Sequence, residues 1–143
     1  MAGRFTRRLA AIGRRAHVRW KRFRKYGFLS DNEARGQVLL REWLSPGQLA
    51  QYDEHGYFDV TGCQSGKRYR IREGVGMNVY ELDAFGGALG GWCFVPKDNL
   101  VAGDVMLAQK IALETSEQIA LLVARRFPAR WTRRTPPPTG RLP

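Results

Sequence analysis

The sequence predicts an α+β fold: a four-stranded antiparallel β-meander packed against a long C-terminal helix, preceded by short helices and a basic amphipathic N-terminal helix. Three observations carry this expectation. Apolar residues recur at helical spacing as far as Tyr52, alternate at period two within short runs between Tyr57 and Val95, and return to helical spacing from Val105 onward. Short Gly-, Ser- and Asp-containing turns separate the alternating runs. Charge is divided sharply between the ends and the middle of the chain.

That division qualifies the whole-chain charge of +11. Residues 1–26 carry ten bases and no acid, and residues 125–143 carry six arginines and no acid. The middle holds eight bases and all thirteen acids, a net charge of −5. The basicity therefore belongs to the ends, where blocks of like charge act as solvated interaction arms. A length of 143 residues suits one domain. The expected organisation is a basic amphipathic arm at 1–27, an α+β core at 28–127, and a disordered Arg/Pro-rich tail at 128–143.

The arm places Phe5, Leu9, Ile12, Ala16, Trp20 and Phe23 on one helical stripe, with most arginines off it. A helix over residues 4–25 would span ~33 Å and end at Gly27. Ser30 with Glu33 forms a capping box for a helix running to about Trp43. Ser45, Pro46 and Gln48 start a second, short helix that stops near Gly56. From Tyr57 the period is two. Strands are expected at Tyr57–Thr61, Lys67–Arg72, Met77–Leu82 and Leu89–Val95, the last with Leu89, Cys93 and Val95 on one face and Trp92 and Phe94 on the other. Asp104 is placed to cap a helix over about 105–126. Its stripe of Val105, Ala108, Ile111, Ala112, Thr115, Ile119, Leu122 and Val123 should cover the apolar side of the sheet. Thr115 and Gln118 also fit a capping box, which would divide this helix in two. Pro128 stops the helix, and Pro136-Pro137-Pro138 favours extended geometry.

Several function classes lose support on the residues alone. No apolar run approaches the ~18 residues of a membrane span, and no secretory leader is visible, so the chain reads as cytoplasmic with free thiols. Gly62-Cys63-Gln64-Ser65-Gly66-Lys67-Arg68 invites comparison with a phosphate-binding loop. It has three residues between its glycines where that motif needs four, and Arg follows the Lys where Ser or Thr is needed. A plain hairpin turn fits better. His17, His55, Cys63 and Cys93 lack paired ligand spacing, so neither a metal nor a cofactor is expected. Cys93 reads as a small buried residue and His55 as an exposed helix end. A Cys63–His55 nucleophile pair has no local support, and the scattered acids single out no acid/base pair.

The chain between Tyr57 and Val123 resembles a group of small bacterial and phage-encoded domains. The residues carrying the likeness are Tyr69-Arg70-Ile71, Asn78-Val79, Leu82-Asp83, Cys93-Phe94-Val95-Pro96, the run Asp104 to Lys110, and Leu113-Glu114. No activity comes with that resemblance, which implies only that the meander and long helix form a reusable module.

The candidate binding residues are basic. In the arm they are Arg4, Arg7, Arg8, Arg14, Arg15, Arg19, Lys21, Arg22, Arg24 and Lys25. In the core, Arg68, Arg70 and Arg72 share one strand face at period two, with Lys67 nearby, and Glu81 or Asp59 are the acids positioned to pair with them. Tyr57, Tyr69, Tyr80 and Trp92 offer rings that stack on bases or pack the core. The expected function is therefore non-enzymatic binding of a polyanion, with nucleic acid first. An anionic membrane surface bound through the amphipathic stripe, docking of that stripe on the chain's own core or on a protein partner, and a small enzyme of unknown reaction are the alternatives.

Overall fold

The computed structural model describes residues 29–129. The predicted arm helix and its ten candidate bases lie outside the described residues, as does the chain beyond Ala129. Helix α1 (Asp31–Trp43) begins as its sequence requires: the Ser30 hydroxyl accepts from the Glu33 amide, and the Glu33 carboxylate accepts from the Ser30 amide. Helix α2 (Pro46–His55) repeats the arrangement with Ser45 and Gln48, and Pro46 occupies the first turn where no amide is needed. Gly56 ends α2 in the left-handed region, at φ 71°, where a side chain would be strained.

Five strands follow, β1 (Tyr57–Thr61), β2 (Arg68–Arg72), β3 (Val79–Leu82), β4 (Ala88–Cys93) and β5 (Arg125–Pro128), with helix α3 (Ala102–Val123) between the last two. They form one antiparallel sheet in the order β1-β2-β3-β4-β5. The sheet thus has one strand more than the four expected. The chain leaves the helix at Ala124, in extended geometry, and Arg125–Pro128, expected as helix end and tail, pair with β4. The Phe127 ring secures this strand by lying over Gly91, where an added Cβ would sit 1.9 Å from the ring's Cζ. The edge of Tyr80 meets the same ring at 5.5 Å. Pro128 is the last strand residue and not the start of a tail; its lack of an N–H suits an edge strand.

The register sets the core. Phe58, Ile71, Val79 and Trp92 form one cross-strand row, and Val60, Tyr69, Glu81 and Gly90 the next. Above these rows pack Met106, Leu107 and Leu113 of α3 and Leu40 and Leu44 at the end of α1. Tyr52 of α2 packs edge-on against Phe58. On β4 it is the Trp92 and Phe94 side that packs against the core, while Leu89 and Val95 are exposed and Cys93 is half-exposed rather than buried.

Helix α3 corrects the sequence reading most. Its buried side runs through Met106, Lys110, Leu113, Glu117 and Ala120, whereas Ile111, Ile119, Leu122 and Val123 of the predicted stripe stand in solvent. Two contacts turn the helix this way. Gly103 packs directly on the α1 backbone, where an added Cβ would lie 2.3 Å from the Gly36 carbonyl carbon. Farther along, Glu117 is drawn inward by polar partners described below. The helix begins at Ala102 without a side-chain cap, so Asp104 is a first-turn residue and not the cap. It is kinked at Ser116, whose φ of −149° and ψ of 47° are non-helical. That break falls inside the segment where the second capping box was read, but Thr115 returns its hydroxyl to the Ile111 carbonyl instead of capping. Asn78 and Gln109 exchange two amide hydrogen bonds of 2.9 Å between the β3 entry and α3, which satisfies both buried side chains.

Candidate functional site

Because β2 alternates, Tyr69 and Ile71 point to α3, and Arg68, Arg70 and Arg72 point to the opposite face of the sheet. The three candidate arginines are therefore brought together, as their spacing predicts. Their environments differ. Arg70 donates from Nε and Nη2 to the two carboxylate oxygens of Asp59, at 2.8 and 3.1 Å, across the β1–β2 pair. Arg68 reaches the same carboxylate at 3.2 Å. Among the described residues Arg72 has no carboxylate partner; its guanidinium lies 5.8 Å from the Tyr57 ring centre and 5.4 Å from that of Tyr80.

The rest of the face supports this row. The Arg70 guanidinium sits 4.0 Å over the Tyr57 ring, and His55 stacks on that ring at 5.1 Å. Burial on its own would raise the Asp59 carboxyl, but the hydrogen bonds from Arg70, Gln51 and Arg68 outweigh it and hold the group below its usual range. The same pairing raises Arg70, so that ion pair stays charged at any physiological pH. Asp59 is also the point at which α2 guards the sheet edge. The Gln51 side chain accepts from the Asp59 amide at 2.8 Å, and the Gln48 side chain donates to the Asp59 carbonyl at 3.0 Å. Two glutamines thus stand where a neighbouring strand would add. One acid among three arginines leaves this face with a surplus of positive charge.

Lys67 does not join the row. It binds Glu81 at 2.9 Å on the helix-covered side, where Trp92 Nε1 also approaches that carboxylate at 3.5 Å. Of the two acids expected to pair with the arginines, Asp59 does so and Glu81 does not. Of the four rings, Tyr57 and Tyr80 lie on the arginine face and are half-buried, Tyr69 is fully buried, and Trp92 packs at the core margin.

The turn that resembled a phosphate loop is a hairpin turn between β1 and β2, and it does hold an anion, one supplied by the chain itself. Glu117 is 1% exposed. Its carboxylate accepts from the Gln64 amide at 2.9 Å, the Ser65 amide at 2.8 Å, the Tyr69 hydroxyl at 2.7 Å and the Ser65 hydroxyl. Burial would raise this acid, yet the Ser65 and Tyr69 hydroxyls and the two amides more than offset it and hold the carboxyl at about 2. Tyr69 is pushed upward, first by burial and then by this carboxylate. The turn also closes the α3 kink: the Cys63 amide donates to the Leu113 carbonyl at 3.1 Å, and the Gln64 side chain accepts from the Gln118 amide at 2.7 Å. Gly62 is required because an added Cβ would fall 2.2 Å from the Glu117 carboxylate.

Sequence reasoning missed Glu117 because its partners lie 48 to 53 residues away along the chain. The available signal was the turn itself, since successive backbone amides in a tight turn make a concave anion site. Among the described residues, no group of three or more His, Cys, Asp or Glu is placed to hold a metal ion. No described helix is long and apolar enough to cross a membrane. Comparisons with family models, with curated proteins and with solved structures returned no match.

Proposed function

We propose that the protein is a non-enzymatic binder of a polyanion, with nucleic acid as the ligand, and that the arginine face of the sheet works together with the basic ends of the chain. The observation that carries this reading is Arg72. It is an exposed guanidinium flanked by two tyrosine rings and free of any carboxylate among the described residues, beside two arginines that share one acid. A guanidinium so placed has donors for a phosphate and a flat face for a base. The described residues hold thirteen acids against ten bases, so the net positive charge of the chain comes from the residues outside them.

Binding rather than turnover is favoured by the acids of the fold. Asp59, Glu81 and Glu117 are each engaged by internal donors, which occupies the carboxylates nearest the sheet.

The test is anisotropy of a labelled oligonucleotide over a salt series with the full chain. If eight arm charges neutralise phosphates, log affinity falls against log salt with a slope of about −7 on duplex, from ~−0.9 per contact. Arg72→Ala is expected to make the slope shallower by about one. A slope near zero would remove nucleic acid as the ligand. Strong co-sedimentation with anionic vesicles, without oligonucleotide binding, would replace it with a lipid surface.

A further inference from the structure

A second apolar side of α3 is turned away from the sheet. Ile119, Leu122 and Val123 are 68%, 84% and 75% exposed, and Ile111 continues the line toward the helix start. Helix α1, packed beside α3 at the Gly36–Gly103 contact, leaves Val38 and Leu39 exposed as well. A groove bounded by Arg35, Gly36, Leu39, Leu100, Val101 and Asp104 joins the two helices. Isolated exposed apolar residues are ordinary, but a row at helical period on one helix, continued on its neighbour, marks an interaction surface.

We infer that this surface is the dock for the chain's own N-terminal segment, whose stripe from Phe5 to Phe23 lies along it. Three observations select this occupant. The first is position: the described chain enters at Ser30 and α1, whose Gly36 touches the α3 start, so the preceding residues begin beside the surface. The second is length. At ~1.5 Å per residue a helical stripe from Phe5 to Phe23 covers ~27 Å, and the two segments of α3 on either side of the Ser116 kink, from Ala108 to Val123, together cover ~22 Å. The third is charge. The one base in α3, Lys110, is buried and paired with Glu114, so the exposed side of α3 itself carries no cation, and Arg35 at the groove and Arg125 and Arg126 after Val123 are the bases that border it. An anionic lipid surface or a nucleic acid would find no exposed cation on α3 to bind.

Docked in this way, the segment buries its apolar stripe and turns its arginines to solvent. Tethering gives it an effective concentration in the millimolar range, which a second copy of the chain does not have at ordinary protein concentrations.

The experiment is limited trypsin digestion of the full chain, with cuts in residues 1–26 followed by mass spectrometry, for the wild type and for Ile119→Gln/Leu122→Gln. Both positions are exposed, and glutamine adds no charge to attract the arm. The double variant is expected to keep its far-UV spectrum and to be cut in the arm at least tenfold faster. Equal rates would overturn the inference. So would wild-type protection that disappears on dilution together with a dimer seen in sedimentation, because the occupant would then be a second copy. No nucleic acid enters the assay, so its failure leaves the polyanion reading untouched.

Discussion

The two faces of the sheet each hold an anion with several donors, and they do so to opposite ends. On the helix-covered face, Glu117 is sealed from solvent and its oxygens take four donors from one turn and one strand. On the other face, Asp59 takes Arg70, Arg68 and Gln51 at a partly solvated site, and Arg72 is left over. A buried carboxylate with every donor supplied internally is structural, because no outside ligand can improve on partners already in place. A partly exposed row with more cations than acids keeps electrostatic capacity for something outside the fold. The comparison teaches that the phosphate-loop likeness and the arginine row, both conspicuous in the sequence, have different fates: the first closes on the chain's own side chain and the second stays open.

This contrast breaks most readily at Glu117. Glu117→Ala leaves the Gln64 and Ser65 amides and the Tyr69 hydroxyl without their acceptor, and is expected to cost about 3 kcal/mol or more by urea denaturation. Loss of less than about 1 kcal/mol would mean that the turn does not depend on its anion. Acid is expected to act through the same group. The folded carboxyl sits at about 2 against an ordinary 4.5. A depressed carboxyl contributes its stability in full above the ordinary value and loses it as pH falls from 4.5 toward 2. The loss is about 3 kcal/mol, and Glu117→Gln should flatten that part of the stability–pH curve.

A smaller effect is expected at the α1–α3 crossing. Gly103→Ala forces the helices apart against backbone and should cost about 1–3 kcal/mol while leaving salt-dependent oligonucleotide binding unchanged. The smallest stability effect belongs to the open face. Arg72→Ala should shift the unfolding free energy by no more than ~0.5 kcal/mol and yet weaken oligonucleotide binding. A large fall in stability with unchanged binding would make Arg72 part of the scaffold and count against the proposed role of this face.

Much of the local structure was legible in the sequence because its causes are local. Both capping boxes, the glycine after α2, and the alternation of Phe58 with Val60 and of Tyr69 with Ile71 report interactions between residues a few positions apart. The same alternation placed Arg68, Arg70 and Arg72 on one face of the sheet, where the strand carries them. The choice between Asp59 and Glu81 as their partner was not legible, since it depends on which face each neighbouring strand presents once the register is set.

Strand β5 and the rotation of α3 belong to the tertiary structure. Arg125 to Pro128 carries no alternation long enough to announce a strand; it becomes one because β4 has an open edge and Gly91 leaves room for the Phe127 ring. Helix α3 has two apolar faces, and helical spacing alone does not choose between them. The Gly36–Gly103 contact and the donors around Glu117 turned one of them inward, because a backbone-to-backbone fit and a satisfied buried charge outweigh a few exposed methyl groups. The sequence by itself determined the helix starts, the strand faces and the separation of charge, since each rests on neighbours along the chain. Which helix face is buried, where the fifth strand pairs and which anion fills the turn were decided by contacts between distant segments, which no local pattern records.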